Sequence, residues 1–461
     1  MKKRAIFTIP ISVLLIAVMV TSFFLMSIKP STGSLKTGQK LAEYIRPAVV
    51  RIVNYAVVSW QYNGYNADIN DFLKQLNYQS VIGGSGSGAI ISSNGYIVTN
   101  AHVVEISKME KGDVATEAMH QLAEQIAKTY NYDYNAVVNY LAKYNLYTDV
   151  QMVTKVILPG GDILNGEIKA YGAPVNQGKD VAVLKIEGKN FPTLTLGNSD
   201  NIQNQDNIWV SGYPAAADSD LLSPDSSLIS TTNSGQITTA SKNTKQGSPV
   251  IQLNAAATHG NSGGPVVNEK GEIIGLLTFR GDTVNGQEVQ GFNFAVPVNT
   301  VKEFVNDAGA KNSKSDTDTL YKEGLQLYWG GYYKNALEKF EAVQRIYPNH
   351  SEIKQYITNA EKRVDDSKIL WSDYRTLFYI VDGVSGLLVI LLLVFTFAFR
   401  PKQQALTVAA NPSPAPVPPT PTPQSTPDSI LADLNKDGKI DVQELLKALQ
   451  EQQKNQKKED E

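Results

Sequence analysis

The sequence predicts a mainly β domain folded as a barrel, joined to helical segments and to two membrane helices. Short runs rich in Val and Ile recur across residues 41–308, separated by Gly, Asn and Asp turns, which is typical of all-β barrels. Helical periodicity appears instead in residues 107–146 and 317–365. Two long apolar segments complete the pattern. The clearest predicted strands are 49–53, 88–91, 96–98, 182–186, 207–210 and 273–277.

Length and composition limit the classes of protein that fit. A chain of 461 residues exceeds one ordinary domain, so we expect several modules. The formal net charge of -3 gives no electrostatic case for nucleic acid, and no nucleic-acid partner is expected. The chain has no cysteine, which excludes disulfides, thiolate metal sites and a cysteine nucleophile.

The two apolar segments predict a two-pass membrane protein. Residues 1–30 begin with a basic cluster and continue with an apolar run long enough to cross a ~30 Å hydrocarbon layer. We interpret this segment as a transmembrane signal anchor, with a cleaved signal peptide as the alternative. Residues 377–399 form the second predicted transmembrane helix, followed by Arg400 and Lys402. The positive-inside rule then places both chain ends in the cytoplasm and the protein between them outside the cell membrane.

A glycine-crowded turn contains the candidate nucleophile, Ser262. The turn reads Gly-Asn-Ser-Gly-Gly-Pro over residues 260–265. Glycine permits backbone dihedrals that expose a serine Oγ, and the N–H groups of Gly260 and Ser262 could form an oxyanion hole. A glycine-rich turn around a lone serine is also typical of an ordinary hairpin, so this signal needs support from a base.

Two further residues supply that support. His102 follows the predicted strand 96–98, and Asp180 precedes the strand 182–186. An imidazole can accept the serine proton, and a carboxylate can fix the imidazole tautomer. The chain order His, Asp, Ser makes the combined pattern specific. We therefore predict a catalytic triad of His102, Asp180 and Ser262, which needs no metal or cofactor for its chemistry.

The chain has four histidines, and the other three fit the base role less well. His259 lies three residues before Ser262, too close in the chain for the usual triad geometry, and is expected in a loop near the cleft. His120 and His350 are expected at solvated surfaces.

Several stretches together resemble the HtrA/Deg branch of the trypsin-like serine proteases. The resemblance covers most of residues 41–308 and implies two packed six-stranded, chymotrypsin-like β-barrels with the triad in the cleft between them. It also implies a serine-type endopeptidase with Gly260 as an oxyanion donor. The stretches that carry it are 84–91, 95–104, 260–265, 291–297 and the segment around Asp180.

The same resemblance bears on specificity and regulation. By position, Ala256 matches the base of the primary pocket in the wider trypsin-like class. Alanine carries no charge, so we expect cleavage after small or medium aliphatic residues rather than after Lys or Arg. The Ser- and Asp-rich loop 215–233 matches a region that can act as an activation switch in the family. We expect no PDZ domain after the protease region, where relatives in the family carry one.

Residues 107–146 are an insertion between His102 and Asp180, with apolar residues at the spacing of two helices. We expect these helices on the barrel near the cleft. Their tyrosines are interpreted mainly as packing residues, with substrate contact as the alternative. These tyrosines are Tyr130, Tyr132, Tyr134, Tyr140, Tyr144 and Tyr147.

Residues 317–365 match one tetratricopeptide-like helix pair followed by a capping helix. A single repeat buries little apolar surface and usually needs neighbours. Binding of a protein partner and a simple helical stalk both remain open as its role. The residues that carry the match are Leu320, Gly324, Leu327, Ala336, Phe340 and Pro348.

The C-terminal tail combines a Pro-rich linker, residues 400–427, with an EF-hand-like loop within residues 428–450. Oxygen ligands fall at the spacing that Ca²⁺ requires, and Gly438 supplies the sharp turn. We expect calcium binding there, with a chance match in a charged helical tail as the alternative. The predicted ligands are Asp433, Asn435, Asp437, the Lys439 carbonyl, Asp441 and Glu444.

These features together predict a membrane-anchored serine endopeptidase that acts on extracytoplasmic proteins, in an envelope quality-control role. Its expected partners are protein or peptide substrates, the lipid bilayer and a protein bound by the helical repeat. The rival hypothesis is a catalytically silent envelope scaffold that recruits partners through the helical repeat and the calcium-binding tail.

Overall fold

The computed structural model describes residues 2–31, 33–215, 223–280 and 292–397. Its centre is two β-sheets, each curled on itself. The first sheet has the order β5-β4-β1-β2-β3-β7-β6. Its strands are β1 Val49–Tyr62, β2 Gln79–Ile90, β3 Tyr96–Thr99, β4 Asn145–Ile157, β5 Ile163–Asn165, β6 Glu167–Tyr171 and β7 Ala182–Lys185.

The second sheet has the order β12-β9-β10-β11-β14-β13-β8, and an additional β12–β13 pairing closes it. Val-, Ile- and Leu-rich faces of its strands turn inward and form a continuous apolar core. Its strands are β8 Thr195–Leu196, β9 Asn207–Gly212, β10 Thr231–Asn243, β11 Pro249–Leu253, β12 Pro265–Val267, β13 Glu272–Arg280 and β14 Asn293–Pro297.

Each sheet has seven strands rather than the six that the resemblance implied. In the first sheet, β5 and β6 are separated only by Gly166, whose N–H donates to the Thr154 carbonyl at 3.0 Å. β5 pairs with β4 and β6 pairs with β7, so one bent segment closes the barrel and counts as two strands. In the second sheet, the extra strand is the two-residue β8, which runs parallel to β13.

The insertion forms two helices, as predicted. α4 Lys111–Tyr130 and α5 Tyr134–Tyr144 follow a 3₁₀ helix at His102–Lys108. They pack on the outer halves of β1, β2 and β4, where Trp60 and Ile82 join an apolar cluster with the helices. Tyr130, Tyr140 and Tyr144 of the insertion are partly buried and pack within it, as the packing interpretation expects. Tyr132, Tyr134 and Tyr147 are exposed, although Tyr132 also stacks on Tyr130, and contact with substrate stays a prediction.

The insertion helices and the outer halves of β1, β2 and β4 form a lobe of the first barrel, and a third helix in this lobe was not predicted. α3, Ala67–Gln75, lies between β1 and β2 and begins at Asn66, whose side chain accepts the Ile69 N–H. The Tyr140 hydroxyl accepts the N–H groups of Tyr65 and Asn66, each at 2.9 Å, and so ties α5 to the start of α3. The lobe is therefore a compact unit with its own core.

Residues 317–365, where helices were predicted, contain three helices, α7 Asp316–Gly330, α8 Tyr333–Ile346 and α9 Ile353–Glu361. They follow α6 Val298–Asp307 and dock on the first barrel. The anchor is the buried carboxylate of Asp318, which caps α7 by accepting from Ser315 N at 3.0 Å and also accepts from Thr193 N at 2.8 Å. The tetratricopeptide-like character of the unit stays a prediction.

His350 lies inside this docked unit, which contradicts its predicted place at a solvated surface. Its side chain is only 3% exposed, and its ring centroid is 4.3 Å from that of Tyr321. Burial lowers the pKa of His350 to about 3. The prediction was wrong because the helices bury this face against one another and against the barrel, which helical periodicity alone cannot reveal.

Two apolar helices correspond to the predicted membrane segments. α1 is Lys2–Ser27 and α10 is Arg375–Phe397, with a short amphipathic helix, α2 Thr37–Ile45, after the first. Ile6–Ser27 and Trp371–Phe397 are long and apolar enough to cross a membrane, and little of either is buried in the protein. The linker 400–427 and the EF-hand-like loop, with all of its predicted ligands, lie outside the described residues.

Candidate active site

Two neighbouring strands bring the predicted base and its carboxylate together. β3 and β7 are antiparallel, with Thr99 opposite Ala182. His102 begins the 3₁₀ helix just after β3, and Asp180 lies just before β7. Because both residues leave the same end of this strand pair, their side chains meet at the edge of the first barrel.

The Asp180 carboxylate is 1% exposed and accepts three hydrogen bonds. Oδ1 accepts from the His102 backbone N–H at 2.9 Å, and Oδ2 lies 2.7 Å from His102 Nδ1. Oδ2 also accepts from the Thr278 hydroxyl, on β13 of the second barrel. Since an ionised carboxylate can only accept, Nδ1 carries the proton and Nε2 of the neutral imidazole is left as an acceptor. This is the tautomer that a general base needs.

The surroundings of His102 also adjust its basicity. Burial by itself would lower the pKa of the imidazole, but the hydrogen bond to Asp180 and the charges of Asp180 and Glu105 outweigh it. The pKa of His102 is consequently raised above its usual 6.5. The imidazole is thus a better proton acceptor than a free histidine.

Ser262 faces the same cleft as His102. Both residues line a cavity of about 330 Å³ between the barrels, together with Gly84, Ser85 and His259. The Ser262 Oγ donates to the Thr278 carbonyl at 3.2 Å. Across the described residues, Oγ makes no hydrogen bond to His102. The structure therefore joins His102 to Asp180 directly and brings Ser262 into their cleft with its hydroxyl turned toward β13.

The turn before Ser262 leaves two backbone donors available. Gly260 has a φ of +93°, which glycine adopts readily. The two carbonyls that precede Asn261 are engaged elsewhere: that of His259 accepts Ala215 N at 2.7 Å, and that of Gly260 accepts the Ser87 hydroxyl at 2.7 Å. Within the described part of the chain, the N–H groups of Gly260 and Ser262 donate to no protein acceptor. Backbone donors without a protein acceptor are one requirement of an oxyanion hole, and this role of Gly260 and Ser262 stays a prediction.

Two residues of the site were not predicted from the sequence. Ser87 is fully buried on β2; its N–H donates to the Ser262 carbonyl at 2.7 Å, and its hydroxyl accepts Tyr213 N at 2.9 Å. Thr278 holds Asp180 from the opposite barrel. A single Ser or Thr inside a strand carries no signal of its own. Only the position of Ser87 between two glycines distinguished it.

The remaining candidates are placed as follows. His259 is exposed at the rim of the cleft, which agrees with a loop position rather than a base. Ala256 is exposed, its carbonyl accepts the Asn233 side chain at 2.9 Å, and it lies outside the described lining of the cleft. Its role as a pocket base stays a prediction. His120 is half-buried on α4, and its Nδ1 lies 2.9 Å from the Tyr134 hydroxyl on α5, within the insertion.

Two β-barrels with a His-Asp pair and a serine turn in their shared cleft define a trypsin-like serine peptidase domain. A family model described as "Trypsin-like peptidase domain" matches residues 86–276, which include all three predicted triad residues. Several curated relatives of this region are named serine protease HTRA. The chain therefore contains a trypsin-like peptidase domain that is similar to those proteins.

Individual relatives are distant and longer. Mitochondrial serine protease HTRA2 of Bos taurus is 29% identical over 236 residues, covering 50% of this chain and 37% of that protein. A protein named "Probable periplasmic serine endoprotease DegP-like", from Halomonas elongata, is 29% identical over 218 residues, covering 47% of this chain and 34% of its own length. The chain thus spans well under half the length of these curated relatives.

A solved structure described as "HtrA-type protease AlgW with decapeptide" is also similar. It shares 24% identity with a TM-score of 0.37, covering 59% of this chain and 67% of its own.

Proposed function

We propose that this protein is a membrane-anchored serine endopeptidase that hydrolyses peptide bonds of extracytoplasmic proteins with His102, Asp180 and Ser262. The observation that carries the proposal is the 2.7 Å pair between His102 Nδ1 and Asp180 in a cleft that Ser262 also lines. A buried carboxylate that orients an imidazole beside a serine serves one common purpose, the activation of the hydroxyl.

The proposed reaction proceeds through an acyl-enzyme. As a substrate enters, the Ser262 Oγ exchanges its hydrogen bond with the Thr278 carbonyl for one with His102 Nε2. Oγ attacks the scissile carbonyl carbon while Nε2 takes its proton, and the N–H groups of Gly260 and Ser262 stabilise the oxyanion. His102 then protonates the leaving amine as the C–N bond breaks. Water, deprotonated by the same nitrogen, hydrolyses the ester and restores Ser262.

The proposed location is the cell membrane, with the protease domain outside and the C-terminal tail in the cytoplasm. It is supported by α1 and α10, whose apolar surfaces are mostly exposed in the protein, and by the basic residues that flank both segments. One relative is named a periplasmic serine endoprotease, and this name supports an envelope role in protein quality control.

We also propose that residues 433–444 bind calcium. Calorimetry tests this, with Glu444→Gln as the control variant.

The proposed substrate preference rests on the predicted position of Ala256 at the base of the primary pocket. A small uncharged residue there would favour small or medium aliphatic side chains before the scissile bond. Cleavage-site profiling on a peptide library measures this directly. A profile dominated by Lys or Arg would contradict the assignment of Ala256.

One observation favours a second candidate, the silent scaffold. The Ser262 hydroxyl is bonded to Thr278 and not to His102, as would also be found in a site that never acts. In that case the docked helices α7–α9 and the tail would recruit partners without proteolysis.

Two assays separate the candidates. The purified full-length protein in detergent is incubated with casein and, separately, with a fluorophosphonate probe, alongside Ser262→Ala. The endopeptidase proposal expects casein cleavage and probe labelling that both disappear in the variant. A wild-type protein that shows neither, while folded by circular dichroism, overturns the proposal in favour of the scaffold. A membrane-impermeant probe on intact cells tests the side of the membrane, since only an external domain is labelled.

A further inference from the structure

A buried amide beside the catalytic cleft uses only one end of its hydrogen-bonding group. Asn54 lies on β1, is 2% exposed and lines the catalytic cavity between the barrels. Its Nδ2 donates to the Ser107 hydroxyl at 2.6 Å, the Thr154 hydroxyl at 3.0 Å and the Val153 carbonyl at 3.2 Å. Its Oδ1 is buried and accepts no hydrogen bond among the described residues.

The orientation of the Asn54 amide follows from the Val153 carbonyl. A carbonyl oxygen can only accept a hydrogen bond, so the atom that faces it is Nδ2 and not Oδ1. The donor end of Asn54 therefore ties β1 to β4 and to the 3₁₀ helix His102–Lys108. The acceptor end is turned away from the Val153 carbonyl. A buried acceptor without a donor costs free energy, and a ligand that supplies the donor removes that cost.

Two glycines of β2 determine how the cleft reaches Asn54. Gly84 is directly opposite Asn54 in the ladder, so both residues face the same side of the sheet. Gly86 also faces that side, and a Cβ there would lie 2.6 Å from Cγ2 of Val103 on the 3₁₀ helix. A Cβ on Gly84 would meet nothing within 4 Å. The helix thus covers the sheet at Gly86 and leaves it open at Gly84, beside Asn54.

We call this opening the Asn54 pocket, and it is bounded by Asn54, Gly84, Ser85, Val103 and Ile106. None of the described residues that line the cavity is a carboxylate. A cationic side chain would therefore lose its hydration there without gaining a counter-charge. The donor that fits Oδ1 is an uncharged hydroxyl or amide, and Val103 and Ile106 provide apolar walls for the carbons that carry it.

We propose that the Asn54 pocket is a specificity site, in which Asn54 Oδ1 accepts a hydrogen bond from an uncharged side chain of one of the first two residues after the scissile bond. The inference rests on the proposed endopeptidase function. In that reaction the leaving amine takes its proton from His102, so the residues after the bond lie beside His102. The neighbouring Val103 is a wall of the pocket. The preferred residues at that position are consequently Ser, Thr, Asn and Gln.

The test uses quenched-fluorescence peptides built on one cleavage site from casein. The first and then the second residue after the bond is varied, as Thr against Val and as Asn against Leu. The members of each pair differ in polarity but little in size. We expect kcat/KM for the polar member to be about tenfold higher in at least one pair. Ratios near one in every pair would overturn the inference.

Two variants remove the site in different ways. Asn54→Leu deletes the acceptor, and Gly84→Val fills the opening while the hydrogen bonds of Asn54 stay in place. Each is expected to bring the polar-to-apolar ratio to about one. Asn54→Leu also loses the buried bonds of Nδ2 and is less stable for that reason. Gly84→Val avoids this problem, because Gly84 has no left-handed φ and has space for a side chain.

Ser107→Ala is the matched control. It removes one acceptor of Nδ2, and the Val153 carbonyl still fixes the orientation of the amide. This variant keeps the wild-type ratio. If Asn54 had only a structural role, Asn54→Leu would slow cleavage of both members of a pair alike and leave their ratio unchanged. Titration of active sites with the fluorophosphonate corrects each preparation for its folded fraction.

The outcomes are distinguishable from failure of the proposed function. If the wild-type protein cleaves the members of every pair equally, or if both Asn54→Leu and Gly84→Val keep the preference, the inference is overturned while the endopeptidase stands. If Ser107→Ala loses the preference as well, the preference comes from packing around Asn54 and the inference is again overturned. If no peptide is cleaved and the probe does not label Ser262, the endopeptidase proposal and the inference fail together.

Discussion

The Thr278→Val variant tests how much the hydrogen bond from Thr278 to the buried Asp180 carboxylate contributes to stability and how much to catalysis. In the wild type, the Thr278 hydroxyl donates to Oδ2, the oxygen that also faces His102 Nδ1. Valine has the same shape but no donor, so a nearly fully buried carboxylate loses one of its three hydrogen bonds. A hydrogen bond to a charged group contributes about 1.5–3 kcal/mol, and we expect the free energy of unfolding to fall by that amount.

The expected loss of activity is smaller. Asp180 carries its negative charge both before the reaction and in the transition state, so most of the lost stabilisation is common to the two states. We expect kcat/KM to fall by less than about tenfold, equivalent to about 1.4 kcal/mol. Urea titration in detergent, followed by tryptophan fluorescence, measures the first quantity, and casein-peptide hydrolysis measures the second.

Thr278→Ser is the matched control, because it keeps the hydroxyl and loses only a methyl group. It should retain most of the stability that valine removes. If the serine and valine variants are destabilised equally, the effect comes from packing rather than from the donor. If valine leaves the unfolding free energy unchanged, the reasoning about Asp180 is refuted.

Three further predictions concern the same site and the docked helices. Asp180→Asn should reduce kcat/KM about 10³–10⁴-fold. It should also move the acidic limb of the kcat/KM pH profile to lower pH, because Asp180 is one of the groups that raise the pKa of His102. An unshifted limb would refute this cause. Ser87→Ala leaves the buried Gly260 carbonyl without its donor, and we expect fluorophosphonate labelling to slow by about tenfold; labelling at the wild-type rate would show that Ser87 does not position the turn. His350 has a folded-state pKa of about 3 against 6.5 when unfolded, so the unfolded state binds the proton first, and stability present above pH 6.5 should decline as the pH falls toward 3. His350→Gln should flatten that decline in urea titrations, and an identical pH dependence in both proteins would contradict it.

The sequence predicted the parts of the fold that local patterns specify. The strand before His102 and the strand after Asp180 both lie where their Val- and Ile-rich runs indicated. The two insertion helices follow from apolar spacing, and structure bears them out. In each case, the apolar side chains that form the sequence pattern are the same side chains that pack into the core.

Other parts depended on partners distant in the chain. Only residues 88–91 were predicted as strand in the region of β2, yet the strand begins at Gln79 and runs through four glycines. Glycine suggests a turn because it adds no packing surface, but here the ladder with β1 holds the backbone extended. The bond between Ser262 and the Thr278 carbonyl likewise depends on the approach of β13, which no local pattern encodes.

The buried Ser87 has a consequence for how the proposed activity would be lost on heating. Its strand belongs to the first barrel, yet its N–H and hydroxyl hold the backbone of the nucleophile turn in the second. A small displacement of one barrel relative to the other would break these hydrogen bonds and distort the turn before either barrel unfolded. Gentle heating should therefore abolish peptide hydrolysis at a lower temperature than it abolishes secondary structure. The rate of hydrolysis would then report on the alignment of the two barrels.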